Sequence, residues 1–262
     1  MPFHASAQMG VSTWSLHQRL TKQNIPLLDL PVEVAAHGLS KLEVCHFHLP
    51  RTDADYVDRL RGALDKAGVE LFTLLVDTGD LTAADPQKRA EDEALIAGWV
   101  DIAARCGAAR VRVIAGESAP TPDEAALALS AAALGRLADR AEAGGVRLVT
   151  ENWHALLDRP KEVLALLDRM GGRVGLKLDF GNWRGARKYT DLAAIASRAE
   201  CTHAKAFFSE AGQMDAADFT RCLQLCRDAG FGGPHILIYD SGGDEWACLD
   251  EMYEAVLPYI SG

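Results

Sequence analysis

The sequence predicts a closed (β/α)8 barrel formed by one domain over residues 1–262. Three observations carry this reading: eight short apolar runs, long amphipathic stretches between them, and glycines closing most of those stretches. Regular strand–helix alternation implies parallel strands joined by crossover helices. Eight such units in 262 residues match the usual size of a closed barrel, whereas an open doubly wound sheet has about five or six strands. The GxGxxG fingerprint of that open sheet is absent after the first run.

In chain order the runs are MGVSTW near residue 10, KLEVCHF near 43, VELFTLLV from 69 and ARVRVIAG from 109. VRLVTENW from 146, RVGLKLDFGNW from 173, CTHAKAFF from 201 and HILIYD from 235 complete the set. Gly68, Gly107, Gly145, Gly172 and Gly230 fall where the preceding helices should stop, since glycine adopts the left-handed conformation of a helix C-terminus without a steric penalty. Helix starts are expected at Asp55 before YVDRLRGALDKAG, at Thr121-Pro122 before DEAALALSAAALGRLADRAEAGG, and at Asp158 before RPKEVLALLDRMG.

A 48% hydrophobic content with 24% charged residues can fill a globular core, and the net charge of −10 with dispersed Lys and Arg argues against a nucleic-acid partner. No run has membrane-spanning length, and MPFHASAQMG lacks the basic and apolar regions of a secretory signal. None of the six cysteines forms a Cys-x-x-Cys pair, and Cys222 and Cys226, one helical turn apart, read as buried small residues. The expectation is a soluble cytoplasmic protein, compatible with a homo-oligomer.

Catalytic groups of such a barrel sit where strands end and βα loops begin. Those junctions offer Trp14, Glu43 with His46 and His48, Asp77, Glu117, Glu151 to His154, Asp179 to Trp183, His203 with Lys205, and Tyr239-Asp240. Asp77, Glu117 and Ser241 are read as helix caps. Glu151, Asp179 and His203 each follow an apolar strand core directly, so alternation points them toward one axis. Two carboxylates meeting there repel unless a cation or proton intervenes. Oxygen ligands with one imidazole suit Mg²⁺, Mn²⁺ or Zn²⁺, and a metal is preferred over a salt-bridge cluster with Lys177 and Lys205. Glu43 is expected either to hydrogen-bond a ligand histidine or a substrate hydroxyl, or to be satisfied by Arg112. Trp14, Trp153, Trp183 and Trp246 are expected to ring the mouth, where indoles suit the C–H faces of a polyhydroxylated small molecule; Trp99 reads as core.

LVTENW, GLKLDFGNW and CTHAKAF, with GVSTWSL and HGLSKLEV upstream, resemble the xylose isomerase-like TIM-barrel family of sugar isomerases, epimerases and related lyases. The resemblance implies a divalent ion held by Glu151, Asp179 and His203, with a fourth acid from the last strand. Here that strand reads HILIYDSGG, so the expected fourth ligand is the shorter Asp240, provided Ile236 and Ile238 face inward and Tyr239 outward. Asn182 stands where the family often has His, and Ala206 where it often has an acid.

The expected function is metal-assisted isomerisation or epimerisation of a small sugar, keto-sugar or polyol-like substrate. Glu151 serves as general base with a pKa raised by enclosure, Asp240 returns the proton, and Lys205 stabilises the enediolate. Trp14, Glu43, His46, Trp153, His154, Asn182 and Trp183 are the expected substrate contacts. Dehydration of a cyclic polyol or keto-acid by the same residues is the alternative, and a non-catalytic ligand-binding barrel is the rival outside enzymes. An endonuclease is disfavoured by the acidic charge and the few histidines at the mouth. Ser241-Gly242-Gly243 is the one glycine-rich loop after the last two strands, so a phosphate-free substrate is favoured.

Overall fold

Eight parallel strands close on themselves in chain order in a computed structural model that describes residues 6–121 and 124–260. They are β1 (Ser6–Ser12), β2 (Leu39–Cys45), β3 (Glu70–Val76), β4 (Arg110–Val113), β5 (Arg147–Glu151), β6 (Gly175–Asp179), β7 (Ala199–Lys205) and β8 (His235–Ile238), with β8 pairing back onto β1. Each predicted run overlaps one of them, although β1, β2 and β7 begin two or three residues before their runs. Closure leaves no strand edge exposed.

Around them run α1 (His17–Thr21), α2 (Leu30–Ala36), α3 (Ala54–Ala67), α4 (Pro86–Cys106), α5 (Ala125–Ala143), α6 (Pro160–Met170), α7 (Lys188–Ala196), α8 (Ala216–Asp228) and α9 (Glu245–Ile260). Gly68 and Gly107 end α3 and α4 in the left-handed conformation as expected, whereas α6 is ended by Gly171, one residue before the expected Gly172. Gly144 and Ala229 end α5 and α8, and the expected Gly145 and Gly230 follow them at positive φ. Helix starts were less legible. Asp53, not Asp55, caps α3 by accepting from the Tyr56 amide, and Asp55 lies inside the first turn. Asp158 does not cap α6; Arg159 holds that position in extended backbone and Pro160 opens the helix. The expected start at Thr121-Pro122 runs into Pro122 and Asp123, outside the described residues, and α5 begins at Ala125. Among the described residues, no helix is long and apolar enough to cross a membrane.

Alternation along each strand divides the interior into two unlike regions. Val11, Leu42, Val44, Leu74, Val111, Val113, Leu148, Leu176, Leu178 and Leu237 join the helices in one large apolar core. Each such side chain contributes roughly 1.5–3 kcal/mol on burial. Cys222 and Cys226 are buried on the inner face of α8, as expected. Inside the barrel the apolar content shrinks to a small cluster of Phe72, Cys201 and Ile236, and the Lys41, Arg110 and Lys177 cations lie 4.4–5.7 Å from the Phe72 ring centre. Above them Glu43, Arg112 and Lys177 are buried in the same lumen. The pairing register places Glu151 level with Lys177 and Asp179 level with His203. That register brings three successive strand ends to one rim.

Gly10 lets β1 approach β2 closely, since a Cβ there would lie 2.6 Å from the Lys41 Cβ and 2.7 Å from its carbonyl oxygen. Gly10→Ala should therefore destabilise the barrel by about 1–3 kcal/mol. Gly62, exposed on α3 with open space around it, should respond oppositely, with Gly62→Ala adding up to about 1 kcal/mol. Denaturant unfolding of the two variants checks both signs.

Candidate functional site

Glu151 and Asp179 end β5 and β6, and His203 lies two residues before the end of β7. One ligand atom from each lies within 4.8 Å of the others, and all three residues are buried. Each side chain is held by one end and presents the other to the centre. The Asp179 Oδ1 accepts from the amides of Gly181 (2.6 Å) and Asn182 (2.7 Å). The Glu151 Oε1 accepts from the Asn182 Nδ2 at 2.7 Å. The His203 Nε2 lies 2.7 Å from the Glu43 Oε2, while its Nδ1 faces the Glu151 Oε2 at 3.3 Å and the Asp179 Oδ2 at 3.6 Å. Asn152 joins the two carboxylate strands, accepting from the Asp179 amide at 2.7 Å and donating to its carbonyl at 3.1 Å.

These contacts settle the alternatives for Glu43. Fully buried between Lys177 and His203, it bonds the histidine and does not line the mouth. Arg112 is taken up elsewhere, 2.5 Å from Asp77 and, through its Nε, 3.1 Å from the Glu151 Oε2. That second approach is an ion pair without hydrogen-bond alignment, and the buried Glu151 Oε2 has no hydrogen-bond partner among the described residues. Two carboxylate oxygens and an imidazole nitrogen thus converge, and the histidine is oriented by a carboxylate behind it. The arrangement fits a divalent cation, whose histidine ligands are commonly fixed in this way.

Burial opposes ionisation throughout the site, and the charges overcome it. Glu43 is lowered to about 2 against desolvation, chiefly by Lys177 and His203. His203 is raised to about 10, against burial and Lys177, by Glu151 and Glu43. The expected upward shift of Glu151 is reversed: desolvation pushes it up, but His203 and Arg112 outweigh that and lower it. Without a metal, a proton on His203 supplies the positive charge between the acids.

Above the triad opens a cavity of about 250 Å³, walled by Trp14, Asp77, Arg112, Trp153, Lys205 and Asp240 among others. Asp77 caps no helix: it pairs with Arg112 and accepts from the Trp14 indole at 3.0 Å, while Asp85 caps the following α4. Glu117 and Ser241 are not caps either, since Glu124 precedes α5 and Asp244 accepts from the Ala247 amide at the start of α9. Asp240 lines the cavity and pairs with Lys205 at 2.5 Å, outside the cluster of ligand atoms. Tyr239 turns away, its ring against Phe208 and its hydroxyl donating to the Gly242 carbonyl.

His46 does not reach the mouth. Its Nδ1 accepts from the Asp77 amide at 3.2 Å and its ring packs on Trp99, itself packed on the core. The ring of four tryptophans is also corrected. Trp14 and Trp153 line the cavity, whereas Trp183 is buried and donates to the Leu157 carbonyl, and Trp246 stacks on His37 and donates to Glu33. Trp153, His154, Asn182 and Trp183 border a second cavity of about 550 Å³. His154 adopts φ 58°, ψ 175°, a conformation almost confined to glycine that costs about 1–3 kcal/mol.

The chain belongs to the xylose isomerase-like TIM-barrel family, whose model matches residues 32–247. No curated protein matches it. Among solved structures it resembles an L-ribulose 3-epimerase with a TM-score of 0.74 at 19% identity, over 97% of this chain and 95% of that one. A D-psicose 3-epimerase with D-tagatose from Clostridium cellulolyticum H10 gives 0.71 at 15% identity, over 97% and 98% of the two chains. A xylose isomerase-like TIM-barrel protein from Mycobacterium smegmatis in complex with magnesium gives 0.71 at 15%, over 100% and 99%. At these identities the likeness is one of fold.

The raised His203 pKa has a definite sign in stability. Protonated His203 stabilises the metal-free fold fully below its unfolded value near 6.5, and this is lost as pH rises toward about 10. With EDTA present, unfolding free energy should fall across that window with a slope of up to about 1.4 kcal/mol per pH unit. Mn²⁺ affinity should rise over the same window, because the ion displaces the proton. His203→Gln should flatten both dependences; urea titrations and calorimetry at pH 6, 7.5 and 9 check them.

Proposed function

We propose that this protein is a metal-assisted isomerase or epimerase of a small keto-sugar or related polyol, transferring a proton at the carbon next to a carbonyl. The observation that carries the reading is the convergence of Glu151, Asp179 and His203 on one point beneath a cavity walled by indoles and charged side chains. The sugar-epimerase neighbours of like fold support the substrate class.

A divalent cation held by Glu151, Asp179 and His203 would polarise the carbonyl and neighbouring hydroxyl of the substrate, acidifying the carbon between them. The residues of the chain supply the rest. Glu43 fixes the His203 ring, so that Nδ1 and not Nε2 faces the centre. Glu151 is kept ionised by His203 and Arg112, as a base must be, and Asn182 holds one of its oxygens while the other faces the centre. In this reading the Glu151 carboxylate takes the proton from the substrate carbon. Asp240, on the β8 side of the same cavity, returns a proton, and its partner Lys205 donates to the developing enediolate oxygen. Trp14 and Trp153 contact the C–H faces of the sugar and keep bulk water from the intermediate.

Incubation with ketopentoses and ketohexoses in D₂O with Mn²⁺ or Mg²⁺, followed by NMR, tests the assignment. Deuterium should enter at the carbon next to the carbonyl and an epimer or aldose should accumulate. A dehydrated product would instead establish the lyase, and no exchange with any ketose would remove the catalytic reading. Glu151→Gln should fold normally and lower kcat by about 10²–10⁴. Asp240→Asn should lower kcat while leaving Mn²⁺ affinity within about threefold, because its carboxylate lies outside the cluster of ligand atoms. Paired turnover and metal titrations of the two variants separate these roles.

A further inference from the structure

We propose that the cavity beside the reaction mouth is a second sugar subsite, so that the substrate is a two-ring sugar whose reacting ketose carries a neutral glycosyl group. The inference rests on the sugar reading of the mouth and goes beyond it. At about 250 Å³ the mouth is smaller than most whole small-molecule sites, which span roughly 300–1,000 Å³. The neighbouring cavity adds about 550 Å³ and shares Trp153 and Asn182 with the mouth, so a ligand longer than one ring passes along the same indole from one to the other.

The lining of this cavity indicates its occupant. Trp153 and His154 stand side by side in the lining, with ring centres 4.2 Å apart and planes tilted by 43°. Among the described residues, the His154 Nε2 and the Glu162 Oε2 are buried with no hydrogen-bond partner, although both residues border this space. An aromatic face beside an imidazole nitrogen and a carboxylate oxygen matches the C–H faces and hydroxyls of a sugar ring. A phosphate or carboxylate fits poorly. Glu162 and Asp158 are acidic, and the one cation of the lining, Arg159, is already shared between Asp158 at 3.8 Å and Asp191 at 3.5 Å.

The backbone of His154 is an independent sign. A glycine would hold this turn without strain, yet the chain places a histidine there at φ 58°. The turn begins at Glu151 of the triad, whose carbonyl accepts from the Trp153 amide at 2.8 Å, and His154 follows three residues after Glu151. The strained conformation therefore sets an imidazole between the candidate base and the second cavity.

Calorimetric titration of the Mn²⁺-loaded protein with fructose and with the fructose-containing disaccharides turanose, maltulose, lactulose and isomaltulose tests the subsite, because the four differ in linkage. At least one disaccharide should bind at least tenfold more tightly than fructose. Glu162→Gln should remove at least tenfold of that gain and leave fructose affinity unchanged. His154→Gly should also remove the gain without lowering the Tm, since it deletes the ring and the strain together. Disaccharides binding no more tightly than fructose would overturn the subsite and leave the monosaccharide mouth standing. Equal weakening of fructose and disaccharide by Glu162→Gln would overturn it as well. Failure of fructose and every disaccharide to bind would overturn the sugar reading of both cavities.

Discussion

Glu43, fully buried in the lumen of the barrel, holds Lys177 on one oxygen and His203 on the other. Burying such charges is costly, and the cost is offset only when each group is paired and oriented. Glu43 meets that requirement for two cations from two other strands. The orientation of His203 follows from it: with Nε2 engaged below, Nδ1 turns upward to Glu151 and Asp179. The position of Asp179 depends in turn on the Asn152 latch and the two amides that follow it. Removing Glu43 would leave Lys177 without its counter-charge and free the imidazole to rotate, so the site depends on a residue that never touches its contents.

Charge balance gives the same network a second consequence. Glu43, Asp77, Glu151 and Asp179 face Lys177 and Arg112, with His203 between them. Within this upper cluster alone, four carboxylates exceed two permanent cations by two charges. A proton on His203 halves the excess, and a divalent ion would cancel it. The upper lumen is therefore a network of charged side chains, unlike a barrel interior filled with layers of branched apolar side chains. Phe72, Cys201 and Ile236 supply only a thin apolar floor, and the cations of neighbouring strands lie close to the Phe72 ring.

The rim differs from the lumen in that its geometry is set by loops. Asn182 shows how few residues connect them: its amide bonds Asp179, its side chain bonds Glu151, and it borders both cavities. The Lys205–Asp240 pair stands at the β8 side of the same opening with Asp240 well exposed, so a ligand entering the mouth meets charge before it meets the triad.

The strands, their order and the inward placement of Glu151, Asp179 and His203 were legible in the sequence because they follow from local rules. Period-two alternation assigns a face to each residue, and left-handed glycines mark where helices stop. The same alternation placed Asp240 on the cavity side and Tyr239 away from it. What local rules cannot supply is the partner across the barrel. Lys177 and Asp179 share a face two residues apart, yet Lys177 pairs with Glu43, 134 positions away, and His203 meets Glu43 across 160. Asp77 has the sequence signature of a cap and became part of the site because Arg112 projects from the adjacent strand. Trp183 and Trp246 lie beyond strand ends like Trp14 and Trp153, but the loops fold them against Leu157 and His37. Faces were determined by the sequence one strand at a time; partners were decided by closure of the barrel, which alone brings residues more than a hundred positions apart within hydrogen-bonding distance.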